Sequence, residues 1–195
     1  MALMGLAALV AGALVYATGS FWGAAVSRMQ RLAAGLLTAI FGFGLTLATP
    51  YPPYFWWSIP LVGLLVVAGV VDRLHQVIPN RLVLLLGAWA LVARIEFGHW
   101  VPAVVLALGV FFFYFLINVI TRGGLGMGDV KFSTALMLAL GYPWGLVGLT
   151  FGSLIAGLYA AFLLVAHRRG KREWMALGPF LALGGWVGAA FMLHR

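Results

Sequence analysis

The 195-residue sequence contains no cysteine and only four acidic residues. The absence of cysteine excludes disulfide bridges, thiolate metal sites and a cysteine nucleophile. Charge of either sign is scarce: charged residues make up 8% of the chain and hydrophobic residues 64%, whereas soluble domains carry roughly a quarter charged residues. A water-soluble core could not bury this much apolar surface. The composition therefore predicts an integral membrane protein, and the four scattered histidines predict no metal site.

Apolar runs separated by short polar connections occupy most of the chain. A bilayer core needs about 20 apolar helical residues, and eight segments are candidates for such helices. They are Leu3–Val26, Leu32–Ala48, Trp57–Val71, Leu82–Ala93, Val101–Ile120, Val130–Leu140, Trp144–Ala166 and Met175–Leu193. The pattern predicts an all-α, polytopic membrane helix bundle of about eight transmembrane helices, forming a single domain over residues 1–195. Glycine pairs such as Gly148/Gly152 and Gly184/Gly188 have a spacing that lets helices approach closely, which we interpret as packing within the bundle.

The basic residues are concentrated in alternate connections. Ten of the twelve lie in one set of connections, and only Arg94 and Arg195 lie in the other. Because loops rich in Lys and Arg stay in the cytosol, this asymmetry predicts that the first set is cytosolic and that both termini lie on the non-cytosolic side. The same asymmetry accounts for the net charge of +8 without a nucleic-acid partner.

Two of the four carboxylates lie where an apolar segment meets a basic connection. Asp72 follows the run that ends at Val71, and Asp129 precedes the run that begins at Val130. An ionisable side chain at the edge of a bilayer is costly, so it is a functional-site candidate by default. Two carboxyl groups can divide the roles of acid and base. The dipoles of their own helices predict that Asp72, at a helix C-terminus, holds the proton and that Asp129, at an N-terminus, is the base.

Each aspartate lies in a short motif. Asp129 is part of Gly126-Met127-Gly128-Asp129-Val130-Lys131, and Asp72 is followed by Ile78-Pro79-Asn80. Glycine permits unusual backbone angles and the close approach of another chain, and Pro79 suits the start of a helix. A simpler interpretation makes Asp129 an N-cap after a glycine turn, and Asp72 a member of an ion pair at the headgroup level.

Taken together, the two motifs resemble those of the bacterial type IV prepilin peptidase family, membrane aspartic proteases of the GxGD class. The motif of Asp72 is similar to the family's first catalytic motif, and the motif of Asp129 is similar to its GxGDxK motif. The resemblance implies that Asp72 and Asp129 are catalytic and that a small set of neighbours supports them. The supporting residues are Gly126, Gly128, Lys131, Pro79 and Asn80.

Two further stretches extend the resemblance over nearly the whole chain. Leu177–Gly184 resembles the family's C-terminal Gly-Pro-Phe stretch, and Gly19-Ser20-Phe21 followed by Arg28 resembles the start of the longer family members. Those members insert a cysteine-bearing cytosolic domain after the first helix and also N-methylate the product. Here only two residues separate Arg28 from Arg31. The resemblance therefore implies a short, peptidase-only form, in which methyltransferase activity is doubtful and no cofactor, S-adenosylmethionine or zinc is expected.

The resemblance also implies a function and a location. We expect a multi-pass protein of the bacterial inner membrane whose active site faces the cytosol. There Asp72 and Asp129 would activate water to cut the leader of type IV pilin-like precursors, before the hydrophobic helix of the precursor. The implied partners are these precursors and the lipid bilayer, with no nucleic acid and no indication of the oligomeric state. A different class stays open: a small ion- or proton-coupled transporter that uses the same two aspartates.

Overall fold

Eight α-helices contain almost all of the residues that the computed structural model describes, which are 2–17, 27–48, 52–96, 98, 100–166 and 175–193. The helices are α1 Ala2–Ala17, α2 Arg28–Ala48, α3 Pro52–His75, α4 Asn80–Glu96, α5 Trp100–Ile120, α6 Met127–Leu140, α7 Trp144–Val165 and α8 Gly178–Leu193. Each predicted segment corresponds to one of them, which confirms the all-α prediction. The part of the first segment beyond Ala17, including Gly19-Ser20-Phe21, lies outside the described residues.

The helices that carry the two aspartates extend beyond their apolar runs. α3 continues past Asp72 to His75, and α6 begins at Met127, so each aspartate lies inside a terminal turn. α3 ends where Gln76 takes a positive φ of 54° while its N–H donates to the carbonyl of Asp72. α4 begins directly after Pro79, where the fixed φ of proline suits a helix start.

Three of the described helices are long and apolar enough to cross a membrane: the Trp57–His75 part of α3, together with α5 and α7. Ala7–Ala17 and α8 are apolar but shorter. α6 has 14 residues, fewer than the roughly 17 that a span requires. The fold is thus an apolar helical bundle, and the predicted number of about eight spans stays a prediction.

α6 is the central helix of the bundle and packs against α4, α5, α7 and α8. Its side chains Val130, Phe132, Leu136 and Met137 are fully buried. The C-terminal end of α6 is held by Arg94 of α4, whose Nε donates to the carbonyl of Leu138 at 3.1 Å and whose guanidinium also donates to Ala139. A cation at this end complements the helix dipole and satisfies terminal carbonyls. Neighbouring protein thus encloses a helix too short to span a bilayer.

α7 and α8 approach each other through glycines. A Cβ atom on Gly148 would lie 2.7 Å from the carbonyl oxygen of Gly184, and one on Gly152 would lie 2.6 Å from that of Phe180. A Cβ on Gly184 would overlap the carbonyl oxygen of Gly148. The glycine pairs predicted to pack the bundle therefore lie at a contact between backbones, which fixes the position of α8.

We expect Gly184→Ala to destabilise the protein by about 1–3 kcal/mol, because the added methyl group meets backbone that cannot rotate away. Thermal unfolding in detergent measures the effect as a lower Tm. Gly157→Ala on α7 is the matched control, since nothing lies within 4 Å of its added Cβ. Equal melting of Gly184→Ala and Gly157→Ala would contradict the close α7–α8 contact.

Candidate active site

A cavity of about 360 Å³ lies where helix ends meet. The last turn of α3, the linker to α4 and the first turn of α6 form its walls. All seven site residues predicted from the sequence line this cavity, together with a few neighbours. The seven are Asp72, Pro79, Asn80, Gly126, Gly128, Asp129 and Lys131. The structure therefore brings together two motifs that are far apart in the sequence.

Asp72 is anchored by α8, a helix from the opposite end of the chain. The side chain is only 4% exposed. Its Oδ2 accepts the backbone N–H of Gly178 at 2.7 Å, across 106 positions of sequence. Gly178 is the first residue of α8, where backbone N–H groups lack helical partners and the dipole is positive. The carboxyl group of Asp72 thus receives a donor that is well suited to a negative charge.

Asp129 has a different environment. It lies in the first turn of α6, where its own N–H donates to the carbonyl of Gly126 at 3.0 Å. Its Oδ1 is buried and has no hydrogen-bond partner among the described residues. The two carboxyl groups that share the cavity are therefore unequal. Each accepts a backbone hydrogen bond, Asp72 from Gly178 and Asp129 from Gly126, but Asp129 also has a buried oxygen without a donor among the described residues.

The supporting residues join α6 to the α3–α4 linker. Lys131 Nζ donates to Asn80 Oδ1 at 3.1 Å, which links the first turns of α6 and α4. Ile78 is buried against Gly128, where a Cβ atom would lie 3.4 Å from the Cβ of Ile78. A Cβ on Gly126 would lie 3.0 Å from Asp129 Oδ2. The two glycines thus keep the start of α6 narrow enough for the linker and the carboxylate to approach it.

The loop between α5 and α6 is fixed by Asn118. Its side-chain Nδ2 donates to the backbone carbonyl of Leu125. Its backbone carbonyl accepts the N–H of Gly123 at 2.8 Å. Arg122 and Gly123 have positive φ values of 52° and 86°, which turn the chain sharply after α5. The sequence indicates that a polar side chain in an apolar helix needs a partner, and the structure identifies that partner as the backbone leading into Gly126.

Gly178 is a site residue that the sequence analysis did not assign. A Cβ atom there would lie 2.7 Å from Asp72 Oδ2 and 2.8 Å from the Cβ of Asp72. Only glycine leaves room for the carboxyl group to reach the N–H at this distance. The signal that could have indicated it is the resemblance of Leu177–Gly184 to a family block, since no local property of the stretch points to Asp72. No group of three or more His, Asp and Glu side chains that could hold a metal occurs in the described part of the chain.

The fold and the site define a class: a helical membrane protein with one buried and one partly buried carboxyl group in the same cavity at its helix ends. Residues 59–161, just over half of the chain, match the Type IV leader peptidase family. The chain belongs to this family, as its motifs predict. The matched region contains both aspartates and ends before α8.

Curated relatives extend the comparison. The prepilin leader peptidase/N-methyltransferase of Dichelobacter nodosus is 31% identical over 173 residues, which cover 85% of this chain and 58% of the relative. Its namesake in Pseudomonas putida is 32% identical over 139 residues, 66% of this chain and 47% of the relative. That of Bacillus subtilis (strain 168) is 29% identical over 129 residues, which cover 65% of this chain and 52% of the relative. The chain spans about half the length of the curated relatives it matches, and no solved structure matches it.

Proposed function

We propose that this protein is a prepilin leader peptidase, an aspartic endopeptidase that cuts the leader from type IV pilin-like precursors. The observation that carries the proposal is the single cavity lined by Asp72 and Asp129, both within the region that matches the family. The relatives named above are prepilin leader peptidase/N-methyltransferases. The proposed partners of the protein are these precursors, and the proposal includes no cofactor.

The cavity suits hydrolysis by two carboxyl groups that share one proton. The ionised carboxylate takes a proton from water as the water oxygen attacks the carbonyl carbon of the peptide bond. The protonated carboxyl group donates to the carbonyl oxygen, which gains negative charge in the tetrahedral intermediate. The intermediate then collapses: the C–N bond breaks and the leaving nitrogen receives a proton from the pair.

The contacts of the folded protein favour Asp72 as the ionised partner and Asp129 as the protonated one. Asp72 accepts the N–H of Gly178 at the positive end of α8. Asp129 has a buried oxygen without a donor, an arrangement that is costly for a charged carboxylate. This assignment is the reverse of the one predicted from the dipoles of α3 and α6 alone, because that prediction did not include α8.

We place the cavity on the cytosolic side of the bacterial inner membrane. The cavity lies at the end of the bundle where α2, α4 and α6 begin and where α3 and α5 end. These ends carry Arg28, Arg73, Arg81, Arg122 and Lys131. Arg94 lies at the opposite end of α4. The positive-inside rule then orients the proposed bundle of about eight membrane-embedded helices so that both termini lie on the non-cytosolic side.

The proposal covers the peptidase reaction and not methyl transfer. Arg28 and Arg31 both lie in the first turn of α2, and α2 continues without a break to Ala48. No room remains between them for the cysteine-bearing domain that the longer family members insert there.

We expect Asp72→Asn and Asp129→Asn each to lower the rate of leader cleavage by roughly 10⁴-fold or more, because either substitution removes one half of the acid–base pair. Coexpression with a panel of pilin-like precursors, scored by loss of the leader, measures the effect. Glu96→Gln is the matched control, since it makes the same carboxyl-to-amide change on an exposed side chain at the far end of α4.

Substantial cleavage by either Asp→Asn variant would contradict the shared roles of the two carboxyl groups. A transporter that uses the same aspartates would instead show ion or proton flux in proteoliposomes without cutting any precursor. Flux that is abolished by both Asp→Asn variants, with no cleavage by the wild type, would replace the proposed function with that alternative.

We expect Gly178→Ala to lower kcat roughly 100-fold with little change in KM, since its methyl group displaces Asp72 from the reactive geometry. The measurement is steady-state cleavage of a precursor by enzyme purified in detergent, normalised to the folded fraction. Gly185→Ala on the same helix is the matched control. Its Cβ would lie 2.7 Å from Leu136 Cδ1, so it causes similar crowding against an apolar side chain. An equal fall in kcat for both variants would show that Gly178 acts only through packing.

A further inference from the structure

An apolar groove of about 600 Å³ lies between α4, α5 and α6. We call it the α4–α6 groove, after the two helices that supply most of its lining. Its apolar walls include Leu84, Leu91 and Leu138. Leu84 is strongly exposed on this surface. The groove therefore offers a surface on which another apolar chain can pack.

The α4–α6 groove is continuous with the active-site cavity. Asn80 and Lys131 line both, and the hydrogen bond between them forms the border. A second apolar cavity, of about 430 Å³, lies between α2, α3 and α8 and includes Ala33 and Arg73. That cavity shares no lining residue with the active-site cavity. The α4–α6 groove thus leads directly from an apolar surface to the cavity that the aspartates line.

Polarity changes along the groove in a definite order. Asn80, Lys131 and Thr134 are its polar lining residues, and they lie at the end next to the aspartates. The hydroxyl of Thr134 donates to the carbonyl of Val130 at 2.8 Å, so it is satisfied within α6. From Asn80 to Leu91 the lining follows α4 for about 16 Å at 1.5 Å per residue. This is about half of a bilayer core of roughly 30 Å.

Gly87 of α4 lies in the middle of this lining. Nothing lies within 4 Å of a Cβ atom placed on it. The backbone of α4 is therefore open to a partner at this point, and small residues at such positions let a second helix approach closely in a membrane.

We propose that the α4–α6 groove binds the cytosolic half of the hydrophobic helix that follows the leader in a pilin-like precursor. The inference rests on the proposed function and adds the surface that holds the substrate. The apolar helix lies along α4 over Gly87, and the chain that precedes it crosses Asn80 and Lys131 to reach the aspartates. The peptide bond to be cut is then extended past the end of the helix, inside the polar cavity.

Disulfide cross-linking tests the proposal directly, because the natural chain has no cysteine. Gly87→Cys is combined with Asp129→Asn, which traps an uncut precursor that carries one cysteine in its hydrophobic helix. Gly157→Cys on α7 and Ala33→Cys in the second cavity are the controls, in the same background. We expect strong cross-linking from position 87, at least about tenfold above both controls.

Cross-linking from position 33 and not from 87, equal cross-linking from all three positions, or none from 87 would each overturn the groove assignment. The wild-type enzyme is assayed on the same precursor without its cysteine. If the wild type cleaves the precursor and the cross-link at position 87 fails, only the assignment of the groove is contradicted, and the proposed function is not. Absence of cleavage for every precursor in the panel removes the proposed function itself.

Kinetics provide a second measurement. We expect Gly87→Leu to raise KM about tenfold with kcat unchanged, because the added side chain fills space that the substrate helix occupies before the reaction. Gly157→Leu, which also projects into open space, should leave both constants unchanged. A Gly87→Leu enzyme with wild-type KM would contradict the proposal.

Discussion

The hydrogen bond from the backbone of Gly178 to Asp72 is the contact on which the site depends. It joins the first residue of α8 to the last turn of α3, and hydrogen bonds to charged groups are worth about 1.5–3 kcal/mol. The bond forms only because Gly178 has no side chain and because α8 has a fixed position along its axis relative to α3. The backbone contact between Gly184 and Gly148 of α7 sets that position. Helix packing through glycine backbone, without any polar side chain, thus determines the position of a carboxyl group.

α6 supplies the second carboxyl group under a different constraint. A helix of 14 residues cannot span a bilayer alone, so its ends must be satisfied within the protein. Arg94 holds the C-terminal carbonyls, and the turn fixed by Asn118 delivers the chain to Gly126 at the N-terminus. The fully buried middle of α6 leaves no freedom for it to shift along its axis. Asp129 is therefore held in place from both ends of its helix.

The helices and the two aspartate motifs could be predicted because their signals are local. Apolar length indicates a helix, and the spacing around Asp72 and Asp129 is visible within a few residues of each. The partner of Asp72 could not be predicted, because Gly178 is distant in sequence and because every residue except proline has the same backbone N–H. Because α8 was not considered, the sequence assigned the proton to Asp72, whereas the proposal from the structure assigns it to Asp129. The dipoles of α3 and α6 can be inferred from the motifs, but the dipole of α8 acts on Asp72 only once the bundle has formed. Arg94 is a further example, since its acceptors are carbonyl groups of another helix.

The proposed peptidase has to bring water to a bond in a precursor whose neighbouring helix is apolar. Carboxyl groups at mid-bilayer would be far from water, and carboxyl groups in an open loop would be solvated and mobile. Placing Asp72 and Asp129 in the terminal turns of their helices avoids both difficulties, because unpaired backbone N–H groups occur at helix starts and polar solvent is near. The border formed by Asn80 and Lys131 then separates two environments, a polar cavity for the reacting bond and an apolar groove for the helix next to it. A substrate helix that ended at this border would lose its regular hydrogen bonds just where the cavity begins, which leaves the extended peptide accessible to the paired carboxyl groups.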